Sequence, residues 1–241
     1  MPMTSRAEDL DDGKESWGHT SAPRGLHATD GGEKEDLDDE PIDQSPLECS
    51  LRELGPLQTA QVRRTSAEAL VHRLLARHHY LGYSRPVGEH LKYLVHAAGQ
   101  PIAALIFSSA PRHLAPRDRF IGWNAAARRR NLYLIAINTR YLIMPWVRIP
   151  YLASHLLGQM ARRLNTDWQC IYGHPIHYLE TFTDPQLFAG TCYRAANWTP
   201  LGLTTGRGKN DQTGKPNRSL KLVWGYPLSP RFRQILQGGA P

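Results

Sequence analysis

After residue 50, this 241-residue chain has only eight carboxylates: Glu53, Glu68, Glu89, Asp118, Asp167, Glu180, Asp184 and Asp211. In a segment rich in arginine, each is a candidate for chemistry. Glu180 and Asp184 flank the end of the apolar run Ile176–Phe182, where catalytic groups often project from a sheet. With Asp118 they have the residue types of an acidic cluster that would hold a divalent metal and cleave phosphodiesters. The plainer reading makes Asp184 a helix N-cap before Pro185 and Glu180 an ion-pair partner for an arginine. Cys192 and His155, in separate predicted helices, are the types needed for covalent catalysis, although a helix-interior Cys usually packs as a small hydrophobe. Cys170, His174 and His177 lie close in sequence. Structural zinc takes four ligands at paired spacings, and no CxxC pair is present, so no metal ligands are assigned.

The second chemistry is anion binding. The overall formal charge is +7, but it is a mean of opposites. Residues 1–50 hold fourteen acidic and four basic residues, net −10; residues 51–241 hold twenty-five basic and eight acidic, net +17. Twenty-one of those twenty-five are arginine, whose planar forks match phosphate oxygens. The clusters are Arg128-Arg129-Arg130, Arg162-Arg163, and Arg207 with Lys209, Lys215 and Arg218. Trp123, Trp146, Tyr193 and Trp198 lie near them in sequence and could stack on unpaired bases. Any one cluster reads equally well as a solvated face. With so few acids, nucleic acid is the expected partner. Arg128, Arg129, Arg130, Arg140, Arg148, Arg194, Arg207 and Lys209 are the candidate contacts.

The elements that must position these groups follow from periodicity. Residues 1–46 are rich in Gly, Ser, Asp and Glu, with Asp-Leu-Asp-Asp at both 9–12 and 36–39. They are expected to be a disordered acidic tail, serving either solubility or as a mimic of the polyanion; residues 47–241 are expected to form the domain. Thr65 and Glu68 have capping-box spacing, ahead of a helix to about Arg77–Tyr80. Leu91–Ala97 and Ile102–Phe107 read as a hairpin around Gly99-Gln100. Residues 110–130 read as a loop, then a short helix capped by Asn124. Strands are expected at Leu132–Ile137, Tyr141–Met144, Ile176–Phe182 and Leu220–Tyr226. Helices are expected at about 151–164, 185–196 and 231–236, with a basic loop over 204–218. The order gives a mixed α/β (α+β) sheet flanked by helices. The longest apolar run is broken by Asn138 and Arg140, so no membrane span is expected. With three scattered Cys and no signal peptide, a reducing, cytoplasmic location without membrane partners is expected.

Two stretches resemble the GNAT N-acyltransferase superfamily. Leu142–Leu157 resembles its fourth strand, pyrophosphate loop and following helix, keeping Pro145, Arg148 and Leu156-Leu157; Leu152 and Ser154 stand where small residues are expected. Ile176–Phe182 with Thr191–Trp198 resembles its fifth strand and fourth helix. The resemblance implies a GNAT-like acyl-CoA N-acyltransferase fold, with acyl-CoA held by Arg148, Ala153 and Ser154 at helix N-terminal amides. It implies Tyr193 as the acid that protonates a departing thiolate, with Glu180 as base. The plainer reading makes Tyr193 and Trp198 core aromatics. The cofactor expectation is acyl-CoA or a divalent metal.

Longer motifs cover about residues 52–235. They are His79–Gly82, Asp118–Trp123, Asn138–Ile143, Pro145–Arg148, Leu152–His155, Glu180–Phe182 and Phe188–Trp198. Together they resemble the Druantia DruA family, known from a bacterial anti-phage defence system and also found beside or fused to transposases. The resemblance implies work in phage defence or transposon biology, with other defence-system or transposase proteins as partners. It leaves open whether the protein is an enzyme.

Overall fold

Strand β4 (Gln100–Ser109) is apolar along most of its length and buried until its last residue, as expected of a strand covered on both faces. It pairs on one side with β3 (His90–Ala97) and on the other with β5 (Ile135–Ile143). These belong to a seven-stranded sheet in the order β2-β3-β4-β5-β7-β9-β8, with β2 at Gln58–Gln61, β7 at Tyr178–Thr183, β8 at Thr199–Leu203 and β9 at Leu222–Pro227. Only β5 and β7 run parallel; the other neighbours are antiparallel. The short strands β1 (Leu47–Glu48) and β6 (Val147–Arg148) form a separate parallel pair. The computed structural model describes residues 42–206 and 219–238. The acidic stretch up to residue 41, and Arg207 with Lys209, lie outside the described residues.

The parallel crossover from β5 to β7 needs a long connection, and helix α5 (Leu152–Tyr172) supplies it. It runs eight residues past the expected end because Met160, Leu164 and Trp168 continue its buried stripe, and Gly173 stops it in the left-handed conformation. The faces of the sheet follow from register. Lys92 of β3 reaches Glu68 of α2 (Glu68–His78), whereas its neighbour Tyr93 donates to Asp167 of α5. Helices α2 and α5 therefore cover opposite faces. Parity carried across β4, β5 and β7 puts Glu180 on the α2 face. There it meets α3 (Ala115–Ile121), which packs with α4 (Ala125–Asn131) and α7 (Phe232–Gln237). The short helix α6 (Thr191–Ala195) lies beside α5 on the other face.

Several local expectations change. Thr65 does not cap α2: its hydroxyl donates to Val62 O, and Glu68 accepts from Arg64 N. The capping box forms instead at Ser50 and Glu53, around α1 (Leu51–Leu54). The hairpin turns on Ala98-Gly99, both at positive φ, which suits a two-residue turn. The two strands expected within 132–144 are one strand, β5, preceded by a single 3₁₀ turn at Leu132–Leu134. The helix expected over 185–196 is only α6. Asp184 caps a turn instead, with its side chain accepting from Gln186 N and its carbonyl from Leu187 N and Phe188 N. Helix α3 lies inside the stretch expected to be a loop. Asn124 does cap α4, accepting from Ala127 N at 2.8 Å. Asn124→Ala is expected to cost about 1 kcal/mol, read as a lower urea midpoint with an unchanged m-value.

Candidate functional site

Strand β5 is one residue out of step at Thr139: Asn138 pairs with Phe107, but Arg140 pairs with Ile106. A one-residue bulge sends neighbouring same-face side chains to opposite faces. Asn138 therefore turns toward α6, where its Oδ1 accepts from the Tyr193 hydroxyl at 3.1 Å. Arg140 turns to the other face. Its Nε donates to Gly82 O at 2.8 Å and its Nη2 to Ser84 Oγ at 2.9 Å, holding the chain that leaves α2. Beyond Asn138↔Thr181 the parallel strands β5 and β7 separate, and a cavity of about 480 Å³ opens between them.

The polar groups on the floor of the cavity are paired with one another. Thr181 Oγ1 donates to Asn138 O, and Thr183 Oγ1 accepts from the Trp224 indole. Tyr193 stacks on Trp224, with Trp198 edge-on, and burial pushes its hydroxyl pKa well up. Gly190 brings the next loop over the indole: it has φ +68°, and an added Cβ would collide with the Trp224 ring. Gly190→Ala combines a positive-φ penalty with overpacking. It is expected to destabilise by about 1–3 kcal/mol, measurable as a lowered Tm.

Of the catalytic candidates, Tyr193 lines this cavity, and Glu180 and Asp118 do not. Glu180 is fully buried on the opposite face of the sheet, so the sheet separates the expected acid–base pair. Glu180 accepts from Arg117 Nη1 at 3.2 and 3.3 Å, and Arg117 Nε donates to Asp118 at 2.9 Å. Asp118 also takes the Trp123 indole N–H and Arg128 Nη1. Both carboxylates are thus neutralised inside the fold. Burial raises the Glu180 pKa to about 7, with Arg117 opposing. The Asp118 carboxyl is held below its usual range: burial acts to raise it, but Arg117, Trp123 and Arg128 outweigh that. Asp184 is bonded to Ser219, which lowers its pKa. Among the described residues no group of three or more His, Cys, Asp or Glu is placed to hold a metal ion. The Cys192–His155 pair is not assembled either: Cys192 lines the cavity with its pKa raised by burial, and exposed His155 meets Gln159. His174 bonds Glu89.

The cofactor candidates sit apart from the cavity. Arg148 pairs with Glu48 at 3.3 Å. The Ser154 hydroxyl donates to Tyr151 O, and Ala153 O accepts from the Tyr141 hydroxyl. Tyr151 opens α5 at φ 65°, Leu152 points inward fully buried, and its N–H turns to Ile149 O. With side chains where a pyrophosphate needs close backbone approach, these residues do not fit that group.

The arginines sort by face. Arg128 is tied to Asp118 and Arg140 to the Gly82–Ser84 segment, while Arg194 is exposed on α6. Arg129 and Arg130 are exposed on α4, and so are Arg112 just before α3, Arg119 on α3, Arg231 at the N-cap of α7 and Arg233 on α7. Arg233 Nε bonds Phe120 O and its guanidinium lies over the Phe120 and Phe232 rings, tying α7 to α3. The carboxylates of this layer, Asp118 and Glu180, are spent on Arg117 and Arg128. None of the six exposed arginines is in an ion pair among the described residues. The signal that could have found Arg231 and Arg233 was the pairing of α7 with α3 and α4, which is not local in sequence.

The fold is a mixed α/β sheet flanked by helices, and solved structures similar to it are N-acetyltransferases. The ribosomal-protein-S18-alanine N-acetyltransferase from Escherichia coli is 11% identical, over 72% of this chain and 95% of that one, with a TM-score of 0.42. The spermidine N-acetyltransferase from Vibrio cholerae is 10% identical, over 72% of this chain and 94% of that one, with a TM-score of 0.47. A search of curated proteins finds none that matches. The family model of the Druantia protein DruA matches residues 27–222, and the chain belongs to that family. No helix among the described residues is long and apolar enough to cross a membrane.

Proposed function

We propose that this protein engages nucleic acid, in the setting of phage defence or transposon biology that its family suggests, alongside other defence-system or transposase proteins. One observation carries the reading: the layer of α3, α4 and α7 exposes Arg112, Arg119, Arg129, Arg130, Arg231 and Arg233, while its acids are consumed internally. Such a face offers several guanidinium forks to phosphates and, among the described residues, no unpaired carboxylate. The contacts are to backbone, so they give affinity without sequence preference. The test is a salt titration of duplex and single-stranded DNA. Log affinity is expected to fall linearly with log salt, at about 0.9 per neutralised phosphate on duplex and about 0.7 on single strands. Affinity independent of salt, or no binding at low salt, overturns the reading.

Acyl transfer is the second reading. It is favoured by the cavity between β5 and β7, with Tyr193 and Cys192 in its wall. The closed turn at Tyr151–Ser154 stands against it. Coenzyme A binding in calorimetry would support it.

A further inference from the structure

The cavity between β5 and β7 is not accounted for by the basic helices, and its mouth differs from its floor. The floor is internally satisfied. The mouth is framed by Tyr80, Leu81, Leu187 and Phe188; Tyr80 and Phe188 are each 46% exposed, with ring centroids 5.0 Å apart and planes tilted by 58°. Exposed aromatic faces at the entrance of a cavity form a stacking platform for another aromatic group. Among the described residues two cations line the space, Arg140 and Lys221, and no carboxylate does. Asp184 lies outside the lining, held by Ser219, and acts on Lys221 from there. The Arg140 guanidinium uses three of its five donors on Gly82 O, Thr139 O and Ser84 Oγ, and two remain. His79 also lines the cavity. Burial and the charge of Arg140 lower its pKa to about 4, so it is neutral at pH 7. Its Nδ1 accepts from Leu81 N, which leaves the proton on Nε2, a fixed donor for a ring nitrogen or carbonyl. The volume falls within the roughly 300–1,000 Å³ of small-ligand pockets.

An aromatic platform, a neutral donor and two cations together describe an aromatic heterocycle bearing phosphate. We propose that the cavity between β5 and β7 takes a single nucleotide, its base stacked at Tyr80 and Phe188 and its phosphate at Arg140 and Lys221. Arg140 emerges on the same sheet face as α3, α4 and α7, so a strand lying on the basic helices runs on the side from which Arg140 is reached. This placement rests on the nucleic-acid reading. A free nucleotide would use the same groups without it.

The experiment presents 2-aminopurine in three ways: as the free riboside monophosphate, within a single-stranded 12-mer, and paired within a duplex of that sequence. Fluorescence quenching reports stacking of the base. Tyr80→Ala and Phe188→Ala, both at exposed positions, are expected to weaken single-strand binding about tenfold and abolish its quenching, with duplex affinity changed less than twofold. If the free monophosphate quenches with the same dependence on Tyr80 and Phe188, the ligand is a free nucleotide and the assignment of the cavity stands. If no DNA binds but the monophosphate does, the nucleic-acid reading fails and the cavity assignment survives. Unchanged quenching in both variants in every arm overturns the proposal. Coenzyme A binding that responds to both substitutions, with no nucleotide arm responding, overturns it as well.

Discussion

Above pH 7, where Glu180 is ionised, Arg117→Met is expected to destabilise the protein by about 3–5 kcal/mol, the cost of leaving a buried charge without its partner. Arg117 and Glu180 are both wholly buried and bonded to each other. Arg117 further donates to Asp118, to Pro111 O and to Arg112 O, so the arginine organises the chain entering α3. The double variant Arg117→Met, Glu180→Met removes both charges and is expected to recover much of the loss, because an apolar pair of similar volume replaces an ion pair at little net cost. Urea melts of the three proteins measure this; a single variant as stable as the parent would sink it. The pH dependence has a definite sign. Glu180 titrates near 7 in the folded protein, against an ordinary value of 4.5. Between those values the folded chain holds a proton that the unfolded chain has released. This contribution to stability is full below about 4.5 and is lost as pH rises toward 7, at up to about 1.4 kcal/mol per unit. Glu180→Gln is expected to remove that slope.

The second large effect concerns binding. Arg129→Glu with Arg130→Glu is expected to weaken duplex DNA binding at least tenfold near 0.1 M salt. It is also expected to flatten the log–log salt slope by about 2, close to 0.9 for each phosphate that is no longer neutralised. Arg162→Glu is the control: it too is exposed but lies on α5, across the sheet. Its effect is expected to stay within the screened long-range field, about twofold at that salt. A weakening from Arg162→Glu as large as that from the double reversal would show that net charge, and not the face, does the binding.

Much of this was legible in the sequence. The α5 stripe, the Asn124 cap and the hairpin strands were visible because helix and strand periods are local properties. The long motifs carried the family, and the charge split carried the expectation of a polyanion partner. Helix α3 was missed because its one-turn core, Ile121 with Pro116 and Arg117, is too short for a period to show. The helix expected after Asp184 stopped at a turn because Gly190 must take a positive φ to pass Trp224.

The sequence by itself determined that this protein carries a strongly basic domain, that it has acids to spare for almost nothing, and to which family it belongs. Only the tertiary structure decided how those residues are used. The bulge at Thr139 sends Asn138 and Arg140 to opposite faces, and strand pairing puts Glu180 across the sheet from Tyr193. The packing of α7 on α3 and α4 brings Arg231 and Arg233 to the layer that bears Arg129 and Arg130. The reason is physical: which face a side chain takes depends on register, and register is set by pairings between segments far apart in the chain.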